Sequence, residues 1–206
     1  MLSEMFPCMD VPTAKVRLHP GAKDFLFEHY VSLRKTFSNV LGLIETDYLS
    51  IALINQADQL FFLSSKPSIE QNLIEKELWQ YDGSYLPDFI YQEQPSLWTE
   101  LYHPKYAHQL KQYKQENQGI ITGISIPTRI DGYKVIFLFG FKSNNLLIQQ
   151  KKYSQYEKLL AMGKYCLKEI RTSIPFPDQQ KQHSCKPKLK LISNNKAVYE
   201  HASGKK

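Results

Sequence analysis

The run Val135-Ile136-Phe137-Leu138-Phe139 puts bulky apolar side chains at five consecutive positions, the longest such run in the chain. In a strand, Val135, Phe137 and Phe139 point to one face and Ile136 and Leu138 to the other. A strand apolar on both sides needs cover on both sides, or a cavity on one of them. The run follows an Asp131-Gly132 turn, so Asn117–Lys142 reads as a hairpin. Its first arm, GIITGISIP, carries Gly119, Gly123 and Pro127. Gly123 predicts a place where another group comes close to the backbone, or a bulge. Pro127, lacking an N–H, predicts a strand edge or end.

The rest of the chain supplies the cover. Leu26, Tyr30, Leu33, Phe37 and Val40/Leu41 predict a helix from Pro20, with Lys35 on its outer face. YLSIALINQADQLFFLSS reads as a second hairpin turning at residues 55–58. SIEQNLIEKELWQY predicts a helix started at Pro67, with Ile69, Leu73 and Leu78 inward. Residues 82–98 are irregular, with a short strand expected at 88–91. HPKYAHQLKQYKQENQ predicts a polar helix with Tyr106, Leu110 and Tyr113 inward. Leu146–Ile170 predicts a long helix with Tyr156, Leu159/Leu160, Gly163, Cys166/Leu167 and Ile170 along one stripe, ended by Pro175-Phe176-Pro177. This order of elements predicts an α/β (α+β) fold, a GAF/PAS-like α-β-α sandwich around a mainly antiparallel five-stranded sheet.

Charge and cysteine usage narrow the classes. Of the net charge of +6, residues 176–206 hold +5, seven lysines (181, 186, 188, 190, 196, 205 and 206) against Asp178 and Glu200. The first 175 residues are close to neutral, so basicity gives no nucleic-acid argument for the body of the chain. Cys8, Cys166 and Cys185 are odd in number and widely spaced, and read as reduced, incidental thiols. No cofactor or metal is expected: His183 and Cys185 have no second pair at zinc-site spacing. MLSEMFPCMDV lacks the marks of a secretory signal, and the apolar runs fall far short of the roughly 18–20 residues that span a bilayer. A cytoplasmic protein without membrane contact is expected. There is no nucleophile elbow, phosphate-binding Gly-rich loop, His-Glu-x-x-His or Cys-x-x-Cys, and no i, i+4 histidine pair. The chain does not read as an enzyme.

Gly-Ile-x-x-Gly-Ile-x-Ile-Pro followed by a loop, a glycine and a β-run resembles the end of the autoinducer-binding domain of LuxR-type transcription regulators. FLSSKP, the aspartate at Asp82 and the phrase PSLW, ending at Trp98, follow that family's order, so the resemblance spans roughly residues 20–172. It implies a leader at 1–18, a ligand-sensing domain at 19–174 and a tail at 175–206. It further implies a ligand site built from Lys66, Glu70, Ile74, Asp82, Ser84, Trp98, Tyr102, Ser125, Phe137 and Phe139.

The match is uneven. Lys66 and Glu70 stand where the family has a lactone-contacting tyrosine and tryptophan, Ile74 replaces a pocket tyrosine, and Gly83 replaces a proline. Lys66 and Glu70, spaced i, i+4, also read simply as a surface pair. Asp82 could accept from a ligand amide, and Trp98 could offer an apolar wall with an N–H donor. The resemblance thus implies a small, partly apolar ligand other than an acyl-homoserine lactone, and dimers formed with itself or with a full-length regulator. LKLISNNKAVYEHASGKK resembles the first helix of the family's helix-turn-helix domain, and a truncated DNA-binding end without a recognition helix is the expectation. Weak, non-specific DNA contact is the most this tail predicts. The competing expectation is a stand-alone interaction module that lost its pocket, even a secreted factor acting on host proteins.

Overall fold

In the computed structural model, the described residues are 16–43, 46–144, 148, 150 and 153–178. The long hairpin forms as its alternation requires. Strand β5 (Thr122–Ile130) pairs antiparallel with β6 (Tyr133–Phe141) along its whole length. Asp131 and Gly132 join them with φ of 49° and 83°, the two left-handed residues of a type I′ turn. On the other side of β6 lies β2 (Tyr48–Ile54), which pairs in turn with β3 (Gln59–Ser64). The Asn55 side chain shapes the β2–β3 turn by accepting hydrogen bonds from the N–H groups of Ala57 and Gln59, each 2.9 Å long.

Two short edge strands complete one mixed sheet of order β1-β3-β2-β6-β5-β4, six strands rather than the five expected. Strand β1 (Arg17–Leu18) runs parallel to β3 and takes in two residues of the expected leader. Strand β4 (Ser96–Leu97) pairs with β5 only at Ser125 and Ile124. Beyond that contact β5 has no second strand partner at Pro127 among the described residues; Pro127 is buried there, and its missing N–H leaves no ladder bond unmade.

Both faces are buried. On one, Phe137, Phe139, Leu49, Ile51, Phe61 and Ile124 pack beneath α1 (Ala22–Glu28), α2 (Tyr30–Leu41) and the long helix α7 (Tyr153–Ser173). The single helix expected from Pro20 is two, broken at His29. The α7 stripe is the expected one, with Tyr156, Leu159, Cys166, Leu167 and Ile170 buried; burial pushes the Cys166 thiol up to about 12. Phe176, past the helix end, inserts edge-on against Phe25, Phe61 and Tyr133.

The opposite face, bearing Tyr48, Ala52, Phe62, Ile136 and Leu138, is covered by shorter pieces. These are α3 (Pro67–Glu75), tight single turns at Leu78–Tyr81 and Gly83–Tyr85, α4 (Pro87–Gln92), α5 (Trp98–Leu101) and α6 (Ala107–Lys114). The strand expected at 88–91 is instead helix α4. Pro87 at its first position starts the turn, and Phe89 and Ile90 bury against the same layer. Residues 1–15 and 179–206, with the tail's seven lysines, Cys8, Cys185 and the resemblance to a first helix-turn-helix helix, lie outside the described residues, as does the expected helix start at Leu146.

Helix α7 meets the sheet at Gly163, where an added Cβ would stand 2.6 Å from the Phe137 ring. Gly163→Ala should gain about 1 kcal/mol of helix propensity yet lose about 1–3 kcal/mol to overpacking. A net fall in stability on urea denaturation is expected; a rise would show that α7 packs elsewhere.

Candidate functional site

The layer between the second sheet face and the short helices holds most of the fully buried polar side chains among the described residues: Ser50, Ser64, Glu70, Asp82, Ser84, Lys114 and Ser125 are all 0% exposed. Such groups are costly in an apolar layer unless they satisfy one another. Asp82 follows the Leu78–Tyr81 turn and starts the next one, its Oδ1 accepting from the Ser84 N–H at 3.0 Å. Its Oδ2 receives Lys114 Nζ at 2.5 Å. Lys114 reaches it because Leu110 and Lys114, four residues apart on α6, share the buried helix face. The ammonium lies 4.4 Å from the centre of the Trp98 ring and 5.3 Å from that of Tyr102. It is enclosed by one carboxylate and two aromatic faces.

Backbone geometry holds this enclosure shut. Asp82 bridges to Tyr102, and an added Cβ at Gly83 would stand 2.4 Å from the Leu101 carbonyl oxygen. Glycine at this position lets the two segments cross. Gly123 acts likewise: its missing Cβ would fall 2.0 Å from the Trp98 ring, which therefore lies flat on β5. This is the close approach that the glycine predicts. The Tyr102 hydroxyl donates to Gln115 Oε1 at 3.1 Å, and the Ser84 and Ser125 hydroxyls pair at 2.9 Å.

A second buried carboxyl lies nearby. The Tyr48 hydroxyl donates to Glu70 Oε1, and the Tyr48 and Trp98 rings meet edge-on with centres 5.8 Å apart. Among the described residues, two buried atoms of this layer have no hydrogen-bond partner, the acceptor Glu70 Oε2 and the donor Trp98 Nε1. Burial raises the Glu70 carboxyl above its ordinary value, with the hydroxyls of Ser64, Tyr48 and Ser50 opposing that pull. Burial also lowers the Lys114 ammonium, with Asp82 opposing that pull. The phenols of Tyr48, Tyr85 and Tyr102 are pushed up by burial and remain protonated.

The layer therefore unites Glu70, Asp82, Ser84, Trp98, Tyr102 and Ser125 from the expected site, with Ile74 half-buried at its margin. Phe137 and Phe139 do not join it; they project from the other face of the sheet beneath the helical layer. Lys66 precedes α3 at the surface and lines a shallow cavity of about 320 Å³ with Phe27, Tyr30 and Pro67. The expected Lys66–Glu70 surface pair is absent among the described residues: Glu70 points inward to Tyr48. A larger surface cleft of about 570 Å³, lined by Arg129, Asp131, Lys164, Lys168 and Arg171, lies against α7, apart from this layer. Sequence reasoning missed Lys114 and Tyr48. The signal for Lys114 was its i+4 relation to Leu110.

No protein-family model matches the sequence, and no curated protein is similar to it. Among solved structures, the chain is similar to SdiA of Escherichia coli at 10% identity and a TM-score of 0.52, covering 75% of this chain and 69% of that one. It is also similar to SdiA in complex with octanoyl-rac-glycerol, at 13% identity and a TM-score of 0.50, covering 72% and 66%. CepR2 of Burkholderia cenocepacia, an N-acylhomoserine lactone-dependent LuxR family transcription factor, matches at 11% identity and a TM-score of 0.47, covering 71% and 94%. At these identities the likeness to SdiA establishes the fold alone.

Because the folded state holds the Glu70 proton more tightly than the unfolded chain does, the stability due to that group is fully present below the unfolded value near 4.5 and is lost as pH rises above it. Glu70→Gln should remove this loss, so its stability relative to wild type should climb with pH across the range above 4.5 in denaturant titrations. A gap that does not change with pH would place Glu70 in water.

Proposed function

We propose that the chain is a LuxR-like small-molecule-sensing domain that regulates transcription or modulates another regulator. The observation that carries this reading is the pair of buried, unpartnered atoms in the polar layer. Trp98 Nε1 offers a donor and Glu70 Oε2 an acceptor, on the face that short helices cover. A small, partly apolar molecule carrying a hydroxyl or carbonyl meets that chemistry. The fold shared with SdiA, one of whose structures holds octanoyl-rac-glycerol, supports it.

An acyl-homoserine lactone is the less favoured ligand, because Lys66 and Glu70 stand where the resemblance places its aromatic contacts. Ligand binding would stabilise the folded, dimer-competent state by mass action. Helix α7, whose Tyr165 is half exposed, is the proposed dimer element, for self-pairing or for pairing with a full-length regulator in the cytoplasm. DNA contact would be weak and salt-sensitive, through the basic tail, with no catalytic role. Among the described residues, no helix is long and apolar enough to cross a membrane.

A second reading rests on Asp82. Its carboxylate is already met by Lys114, as expected of an interaction module that closed its pocket. Native mass spectrometry of the full chain separates the two. Sensing predicts extra mass released on denaturation, with occupancy reduced about tenfold in Trp98→Phe, which keeps an aromatic ring and removes the donor. A bare chain under all expression conditions would contradict sensing and favour the module.

A further inference from the structure

We propose that Lys114 is a tethered ligand: the chain encloses an alkylammonium site made of Asp82, Trp98 and Tyr102 and fills it with its own side chain. Three observations converge on it. The Lys114 and Asp82 side chains are both 0% exposed, with Nζ 2.5 Å from Oδ2. Two aromatic rings flank the same nitrogen, the arrangement by which proteins hold organic cations. The remaining carboxylate oxygen is held by the Ser84 N–H, a bond in which the lysine takes no part.

The lysine reaches this position from a short helix whose other residues are largely polar. A solvated lysine costs nothing there, whereas a buried one must be compensated by a dedicated partner. Asp82 is that partner, and no exposed lysine of α6 shares it: Lys111 pairs outside with Glu116 at 3.4 Å.

The proposal deepens the sensing reading, resting on this layer as the ligand-binding face. It narrows what the layer can admit. With Lys114 seated, each Asp82 oxygen already holds a hydrogen bond, and the unpartnered groups that meet an entering molecule are Glu70 Oε2 and Trp98 Nε1.

Removing the tether should leave a site that accepts a free amine. In the full chain, Lys114→Ala should melt roughly 10 °C below wild type, the scale expected for a buried pair that loses one member. Added n-propylammonium, which matches the deleted stem and head from Cγ to Nζ, should raise that melting temperature saturably. Equal concentrations of n-propanol or sodium chloride should not, and neither wild type nor Lys114→Ala/Asp82→Asn should respond to the amine.

If Lys114→Ala does not fold by itself, cooperative melting recovered by refolding with n-propylammonium supports the proposal. Failure to fold with the amine present overturns it. So does an equal response to propanol, or a Lys114→Ala melting temperature equal to that of wild type. The readout is independent of any natural ligand, so a bare chain in the mass spectrometer and an unrescued Lys114→Ala are separate failures.

Discussion

The ion pair between Asp82 and Lys114 is the constraint on which the irregular half of the molecule depends. Each charge loses several kcal/mol of hydration in such a setting, and deleting one partner typically costs about 3–5 kcal/mol. The short contact, the Ser84 N–H and the two aromatic faces offset that loss only while all are in place. Helix α6 and the turns at 78–85, separated by some thirty residues and poor in regular structure, are thereby locked to one another. An apolar pair would hold them as firmly, but would tolerate sliding.

The sheet divides the molecule into two chemistries. Beneath α2 and α7 the interior is almost wholly hydrocarbon and aromatic, with interlocking rings at Phe25, Phe61, Tyr133 and Phe176. Full burial of each such side chain contributes roughly 1.5–3 kcal/mol, and among the described residues no buried charge offsets it in this half. The other face carries serines, two carboxyls, an ammonium and phenols in the middle of its layer. That half has the means for recognition, and the first half makes its cost tolerable.

Much of the frame was legible because it follows from local rules. The alternation on both sides of Val135–Phe139, the Asp-Gly turn and the α7 stripe each determine their own geometry. Gly123 was legible as a site of close approach, though only the folded chain names Trp98 as the group that approaches. Strands β1 and β4, two residues each, carry too little pattern to be seen.

Residues 88–91 were misread as a strand because aromatic and branched side chains satisfy either period over so short a stretch, and Pro87 decided for the helix. Lys114 was hidden, and Glu70 was reached only through the resemblance, for a different reason. A charged residue on an amphipathic helix reads as solvent-facing unless its partner is known, and Tyr48 and Asp82 lie 22 and 32 residues away. Phe137 was assigned to the ligand layer by resemblance, whereas the strand's own alternation already sent it to the opposite face.

The most direct test of this account is the solvent accessibility of the Lys114 amine in the native full-length chain. Brief acetylation followed by peptide mass mapping compares it with Lys111, one turn away and 54% exposed. The account predicts rapid modification of Lys111 and none of Lys114 until the chain is unfolded. Equal labelling of the two lysines under native conditions would contradict the buried ion pair, and with it the enclosed ammonium site.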